Sequence, residues 1–158
     1  MSIQVGQSAP DFKLYANMNE QFCLSDFKGT KNVLLLFFPQ AFTGVCTKEL
    51  CSIRDNISQY NNANAQVFGI SVDSVFTLAK FKEEQQLNFP LLSDFNKEAS
   101  TIYDCMYDSF TGMGMKGVSK RSAFIIDKEG IIQYAEVLES AGDLPNFDAI
   151  NEVLNRLS

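Results

Sequence analysis

Apolar and polar residues alternate along this chain with two periods, and each period marks a different element. Val33-Leu34-Leu35-Leu36-Phe37-Phe38 is an unbroken apolar run of the kind found in central strands covered on both faces. Pro39 has no N–H for a ladder and ends it. Leu50, Ile53, Ile57 and Tyr60 then recur at spacings of three and four, a core-facing helical stripe opposite Lys48 and Asp55. Val67-Phe68-Gly69-Ile70-Ser71-Val72 reads as a second central strand, so the two strands and the helix form a β-α-β unit with a right-handed crossover and a parallel pair. Asp73 or Ser74 can cap the next helix, which carries Val75, Leu78 and Ala79 on one face.

The flanks complete the pattern. Phe12–Tyr15 is expected to pair with Gln21–Leu24 across the turn-prone Asn17-Met18-Asn19, giving an N-terminal hairpin. Pro90-Leu91-Leu92 predicts a brief strand, and Asn96–Tyr103 a short helix with Ala99, Ile102 and Tyr103 inward. Ser122–Ile126 and Ile131–Val137 enclose Asp127-Lys128-Glu129-Gly130, whose glycine suits a left-handed position, so an antiparallel hairpin is expected. A last helix places Phe147, Ile150, Leu154 and Leu157 on one side. No repeat, linker or low-complexity segment interrupts the series, and residues 1–158 read as a single α/β domain with a central sheet flanked by helices.

Composition narrows the chemistry. The 158 residues, 46% hydrophobic with 14 Phe, suffice for a proper core without disulfide or metal staples. The longest apolar run falls far short of the roughly 20 residues of a membrane-spanning helix, and Met1–Gly6 lacks the basic flank and apolar block of a secretory signal, so a cytoplasmic protein is expected. A net charge of −6 without a block of Lys or Arg argues against nucleic acid as a partner. The four cysteines, at 23, 46, 51 and 105, form no C-x-x-C, which favours redox chemistry or plain burial over a disulfide framework. With no histidine in the chain, whatever activates a cysteine must be a cation, hydrogen bonds or a helix terminus.

One cysteine sits where such activation is available. Cys46 follows a strand end and opens a helix, where unpaired N–H groups and the positive end of the helix dipole push a thiol toward the thiolate. Its setting, Pro39-x-x-x-Thr43-x-x-Cys46, resembles the P-x-x-x-T-x-x-C signature of the peroxiredoxins of the AhpC/TSA superfamily. Two further segments share the resemblance: Gly6-Gln7-Ser8-Ala9-Pro10-Asp11-Phe12 is similar to the family's opening G-x-x-A-P-D-F, and Lys120-Arg121-Ser122-Ala123-Phe124-Ile125-Ile126-Asp127 looks like the strand that brings an arginine to the active-site cysteine. The resemblance spans nearly the whole chain and points to the bacterioferritin comigratory protein/PrxQ and AhpE-like branches.

The resemblance implies a thioredoxin-like fold with an N-terminal extension and a thiol peroxidase that reduces hydrogen peroxide and alkyl hydroperoxides without metal, haem or flavin. On this basis Cys46 is the expected peroxidatic nucleophile. Thr43 offers a hydroxyl to thiolate or peroxide, Arg121 supplies the cation, Pro39 shapes the pocket and shields the sulfur, Glu49 orients an arginine, and Phe42 narrows the entrance. A sulfenic acid on Cys46 then needs a second thiol. Cys51 is the leading resolving residue by the PrxQ-like spacing; Ile131–Val137 looks nearer to the one-cysteine AhpE-like branch, and Cys105 stays open as a third choice. The implied reductant is thioredoxin or a similar dithiol protein, and a homodimer is favoured. The competing class is a non-enzymatic redox sensor. A dithiol reductase would need C-x-x-C, and a glutathione peroxidase a tryptophan, which this chain lacks.

Overall fold

The computed structural model describes residues 3–158; Met1 and Ser2, the start of the expected 1–158 domain and of the stretch read for a signal, lie outside them. Seven strands form one mixed sheet in the order β2-β1-β5-β4-β3-β6-β7. The middle is parallel: β3 (Asn32–Phe37) pairs with β4 (Ala65–Ser71), and β4 with β5 (Leu91–Ser93). β6 (Ser122–Ile126) lies antiparallel on the other side of β3, and β7 (Ile132–Val137) closes that edge. At the far edge β1 (Lys13–Asn17) and β2 (Glu20–Cys23) form the expected hairpin, with Leu14 opposite Phe22. Among the described residues no helix is long and apolar enough to cross a membrane.

The apolar run works as a two-faced strand because successive side chains point to opposite faces. Leu34, Leu36 and Phe38 join a core with α1 (Gly44–Asp55), α2 (Ile57–Asn62), α3 (Val75–Gln85) and α5 (Phe147–Leu157). Val33, Leu35 and Phe37 face the other way, toward Phe12, Leu24 and the short helix α4 (Glu98–Ile102). At about 25 cal/mol per Å² of apolar surface, each fully buried Leu or Phe contributes on the order of 2–3 kcal/mol, so a strand buried on both faces is a rigid rail for the turn at its C-terminal end.

Three sequence expectations need correction. The stripe Leu50-Ile53-Ile57-Tyr60 belongs to two helices, not one: Asn56 adopts φ −121°, ψ 23°, and its Nδ2 donates to the Ser52 carbonyl at 2.8 Å. That carbonyl is the acceptor the Asn56 N–H would use in a continuous helix, so the side chain competes with the backbone and the N–H bonds Ile53 O instead. On α3, Ala79 is exposed and Phe81 is buried; the larger ring, within 6.4 Å of Phe38 and 5.1 Å of Phe42, sets which face turns inward. Ile102 is exposed whereas Ala99 and Tyr103 are fully buried, because one turn of helix presents only the i, i+4 pair to the core. As for the two possible caps of α3, Ser74 takes the position, accepting from Thr77 N. Asp73 is used elsewhere.

Candidate active site

The active-site segment begins where β3 ends. Pro39 stops the ladder, and the chain turns through Gln40, Ala41 and Phe42 into the start of α1. This turn is tied to the neighbouring strand: Ala41 N–H donates to Asp73 Oδ2 at 2.8 Å, and the Ser71 hydroxyl donates to the same oxygen at 2.7 Å. Phe42 holds a left-handed φ of 66°, and its ring packs edge-on against Phe81. Thr43 is the N-cap residue, with extended backbone, and its hydroxyl donates to Gln40 O at 2.8 Å. The hydroxyl proton is therefore directed at the turn and not at Cys46, and no side chain caps α1. Helix geometry leaves the first-turn N–H groups without intrahelical acceptors, Cys46 among them.

Arg121, immediately before β6, meets Cys46 from the opposite side. Its Nη2 donates to Cys46 Sγ at 3.2 Å, and its Nη1 donates to Glu49 Oε1 at 2.6 Å. Nε and Nη2 both donate to the Ala141 carbonyl, at 3.3 and 3.0 Å, so the connection from β7 to α5 fixes the plane of the guanidinium. Cys46 and Arg121 are each 1% exposed and Glu49 is fully buried. A solvated strand-edge arginine is thus not what the chain builds. The rigid fork of an arginine lets one side chain serve a carboxylate, a carbonyl and a sulfur at once.

The carboxyl behind this cation is unusual. Burial pushes Glu49 up from the ordinary 4.5 to about 7, although the Arg121 charge and hydrogen bond act the other way. Its Oε2 is buried and meets no donor among the described residues. For Arg121, burial opposes the charge, but the fields of Glu49 and Cys46 outweigh it and hold the guanidinium above its ordinary value. Between pH 4.5 and about 7 the folded chain retains a Glu49 proton that the unfolded chain has lost. The associated stabilisation is complete below pH 4.5, declines as the pH rises and is gone above about 7. Denaturant melts of the wild type and Glu49→Gln across this range should therefore show the wild type losing stability relative to the variant as the pH rises to about 7, with a constant difference above it; parallel curves throughout would show that Glu49 ionises as in an unfolded chain.

Above the sulfur lies a cavity of about 660 Å³, lined by the α1 start from Thr43 to Cys46, by Tyr107, Phe110 and Thr111 of the loop before β6, and by Lys120, Arg121, Glu139 and Ala141. Lys120 and Glu139 form an ion pair of 2.8 Å there. Neither Pro39 nor Phe42 lines this cavity: Pro39 is buried and Phe42 packs on Phe81 of α3, whereas the aromatic rings on its wall are those of Tyr107 and Phe110. Sequence alone does not reveal Asp73, Ala141 and the Tyr107–Thr111 wall. Asp73 reads there as a helix cap, and a backbone carbonyl such as that of Ala141 leaves no mark.

The other cysteines occupy distinct settings. Cys51 lies on α1, half-buried, with its thiol donating to Gln85 Oε1 at 3.5 Å. Five residues of continuous helix place it roughly 8–9 Å from Cys46 between Cα atoms and about 140° around the axis, beyond the reach of about 7 Å that a disulfide requires. Cys105 is fully buried, and burial pushes its thiol up to about 12 against a countering hydrogen bond with Ser122. Cys23 contacts Asp11 and Ser25 in the N-terminal hairpin region.

Comparison with known proteins finds relatives along most of the chain. A sequence model of the AhpC/TSA family matches residues 5–135. The chain is 44% identical over 133 residues to the bcp peroxiredoxin of Coxiella burnetii, covering 84% of this chain and 87% of that one. It is 36% identical over 135 residues to alkyl hydroperoxide reductase E of Mycobacterium tuberculosis, covering 85% and 86% of the two chains. Among solved structures, peroxidoxin BcpB from Mycobacterium tuberculosis superposes with a TM-score of 0.86 at 28% identity over 99% of both chains. A peroxiredoxin-like protein from Aquifex aeolicus reaches a TM-score of 0.89 at 21% identity, covering 100% of this chain and 90% of that one, a likeness of fold alone.

Proposed function

The chain belongs to the AhpC/TSA family and is a thiol-dependent peroxidase on a thioredoxin-like fold, and from that premise we propose that Cys46 is the nucleophile and Arg121 the group that organises its reaction. The carrying observation is the guanidinium placed 3.2 Å from the sulfur and held by Glu49 and Ala141. In this reading the Cys46 thiolate attacks one peroxide oxygen in line with the O–O bond. The S–O bond forms, the O–O bond breaks, and the departing oxygen takes a proton to leave as water or an alcohol. Negative charge moves from sulfur to the leaving oxygen, and both ends lie within reach of fixed positive partners: Arg121 and the first-turn N–H groups of α1. Glu49 orients Arg121, Thr43 closes the helix start, and Pro39 fixes the turn from beneath.

The apolar portion of the cavity, at Val45, Tyr107, Phe110 and Ala141, supports alkyl hydroperoxides alongside hydrogen peroxide as substrates. Cys51 is the resolving thiol we favour over Cys105, whose complete burial keeps it from the cavity. A disulfide of Cys46 with Cys51 would be recycled by thioredoxin or a similar dithiol protein. Exposed Phe76, Phe95 and Met113 support a homodimer, and four free thiols suit the cytoplasm.

One equivalent of hydrogen peroxide added to the reduced protein, followed by peptide mass mapping, tests this. A Cys46–Cys51 link is the expected product. A sulfenic acid persisting on Cys46 with the other thiols free would assign resolution to an external thiol, and an unoxidised Cys46 would remove it from the nucleophile's role.

A further inference from the structure

We propose that Asp73 is a positioning residue for the peroxidase reaction: together with Thr43 it clamps the Gln40–Ala41 peptide at both ends, and the clamp aims the start of α1, and Cys46 with it, at Arg121. This rests on the reading of Cys46 as the nucleophile. Asp73 does not line the cavity above the sulfur, so it acts on the reaction through the turn.

The clamp closes on one peptide unit. Phe38 N–H bonds Ile70 O at 2.9 Å as β3 ends, and Pro39 brings no donor. The Gln40 carbonyl then accepts from the Thr43 hydroxyl at 2.8 Å, and the Ala41 N–H of the same peptide donates to Asp73 Oδ2 at 2.8 Å. A peptide is planar, so holding its oxygen and its nitrogen fixes the orientation of the whole unit. The next residue needs that constraint. Phe42 is exposed and adopts φ 66°, a left-handed conformation that a residue with a side chain keeps only where its surroundings impose it. Thr43 follows as the N-cap of α1 with extended backbone, its hydroxyl spent on Gln40 O and not on the helix. The direction in which α1 sets out, three residues before Cys46, is therefore set by the turn.

Asp73 can serve as the anchor because two strands hold it. Ser71, fully buried at the end of β4, donates its hydroxyl to Asp73 Oδ2 at 2.7 Å and accepts the Asp73 N–H at 3.2 Å. Ser93, at the end of β5, donates its hydroxyl to the Asp73 carbonyl at 2.6 Å, and Asp94 N–H bonds the Ser71 carbonyl at 2.7 Å. The bonds to the carboxylate are charge-assisted and so stronger than those of a neutral acceptor. They tie the catalytic turn to the parallel centre of the sheet, whereas Arg121 is held from β6 and Ala141. The sulfur and the guanidinium meet only while both supports keep their places, and a displacement of about 1 Å caused far from the chemistry can cost about 10²-fold in rate.

Two rates test the clamp, each read at Cys46 by rapid quench and peptide mass: oxidation by hydrogen peroxide and alkylation by iodoacetamide. Asp73→Ala should slow oxidation by about 10–100-fold. Alkylation needs the thiolate but no in-line grip on two oxygens, so it should stay within about threefold. Asp73→Asn keeps an acceptor for the Ala41 N–H and should recover most of the oxidation rate. Because both anchors hold one peptide, Asp73→Ala should cost about threefold or less in a chain that already carries Thr43→Val. Ser71→Ala leaves the carboxylate present but frees it from β4; it should show the same non-additivity with Thr43→Val at smaller size, and it carries the test if Asp73→Ala does not fold. An oxidation rate unchanged by Asp73→Ala would overturn the proposal. So would losses that simply multiply with Thr43→Val, which would make Asp73 a general support of the fold, and so would an equal fall in alkylation, which would place its effect on thiolate formation. Each of these leaves Cys46 as the nucleophile; a wild-type Cys46 that peroxide does not oxidise would overturn that reading and the proposal together.

Discussion

Peroxide reduction by a Cys46→Ser variant is expected to fall by about 10⁴-fold or more, to the background rate. A serine hydroxyl is nearly isosteric with the thiol, so it leaves the buried floor of the cavity intact, but it neither ionises near neutral pH nor forms the S–O bond that stores the oxidising equivalent. The variant should fold normally, and stopped-flow or competition kinetics against a peroxide-reactive dye would read the loss. Cys51→Ser supplies the contrast: a full first turnover, then accumulation of the Cys46 sulfenic acid. Cys105→Ser should leave both steps alone and lower stability instead, since it exchanges a buried thiol with a strongly raised pKa for a hydroxyl in the same packed space. Sustained turnover by Cys46→Ser would show that another thiol carries the chemistry.

The parts of this site that are legible in the sequence are those that depend on local rules. An apolar run ended by Pro39, a threonine and a cysteine at fixed offsets, and a helical stripe beginning at Leu50 place a cysteine at a helix start with little ambiguity. The parallel pairing of β3 with β4 is also legible, because a helix separates them, and so is the β6–β7 hairpin, whose loop carries Gly130 at a positive φ; the pairing of β6 with β3 and of β1 with β5 is not. The features hidden from sequence depend on partners distant along the chain. Asp73 steadies the turn through Ala41 32 residues away, and Arg54 reaches the Gln85 carbonyl across 31 residues. The break at Asn56 is hidden for a different reason. The apolar stripe continues through it, and only the side-chain bond to Ser52 O shows that the backbone helix does not. Glu49 reads as an ordinary helix residue by its position alone, and the family resemblance is what points it at an arginine; its complete burial beside Arg121, a burial that raises its pKa, leaves no mark in the sequence.

That buried pair makes Arg121→Met the most informative substitution after Cys46, because it should separate catalysis from stability. The rate of Cys46 oxidation is expected to fall by about 10²–10³-fold, the usual effect of removing one preorganised donor from a transition state that moves charge. Arg121→Lys should recover only part of this, since an ammonium cannot bridge Cys46, Glu49 and the Ala141 carbonyl at once. Stability responds by another route. Removing one partner of a fully buried ion pair typically costs about 3–5 kcal/mol through the charge left behind, but Glu49, already raised to about 7 by burial, can take up a proton once the cation is gone. The loss should therefore be small at about pH 5, where the carboxyl is neutral, and grow toward about pH 8, where keeping it protonated works against the solvent. Adding Glu49→Gln to Arg121→Met should remove that pH dependence and restore much of the stability while leaving the oxidation rate as low as in Arg121→Met alone. Should the double variant recover peroxidase activity along with stability, Arg121 would be a structural cation and the charge that meets the peroxide would have to come from the helix start alone.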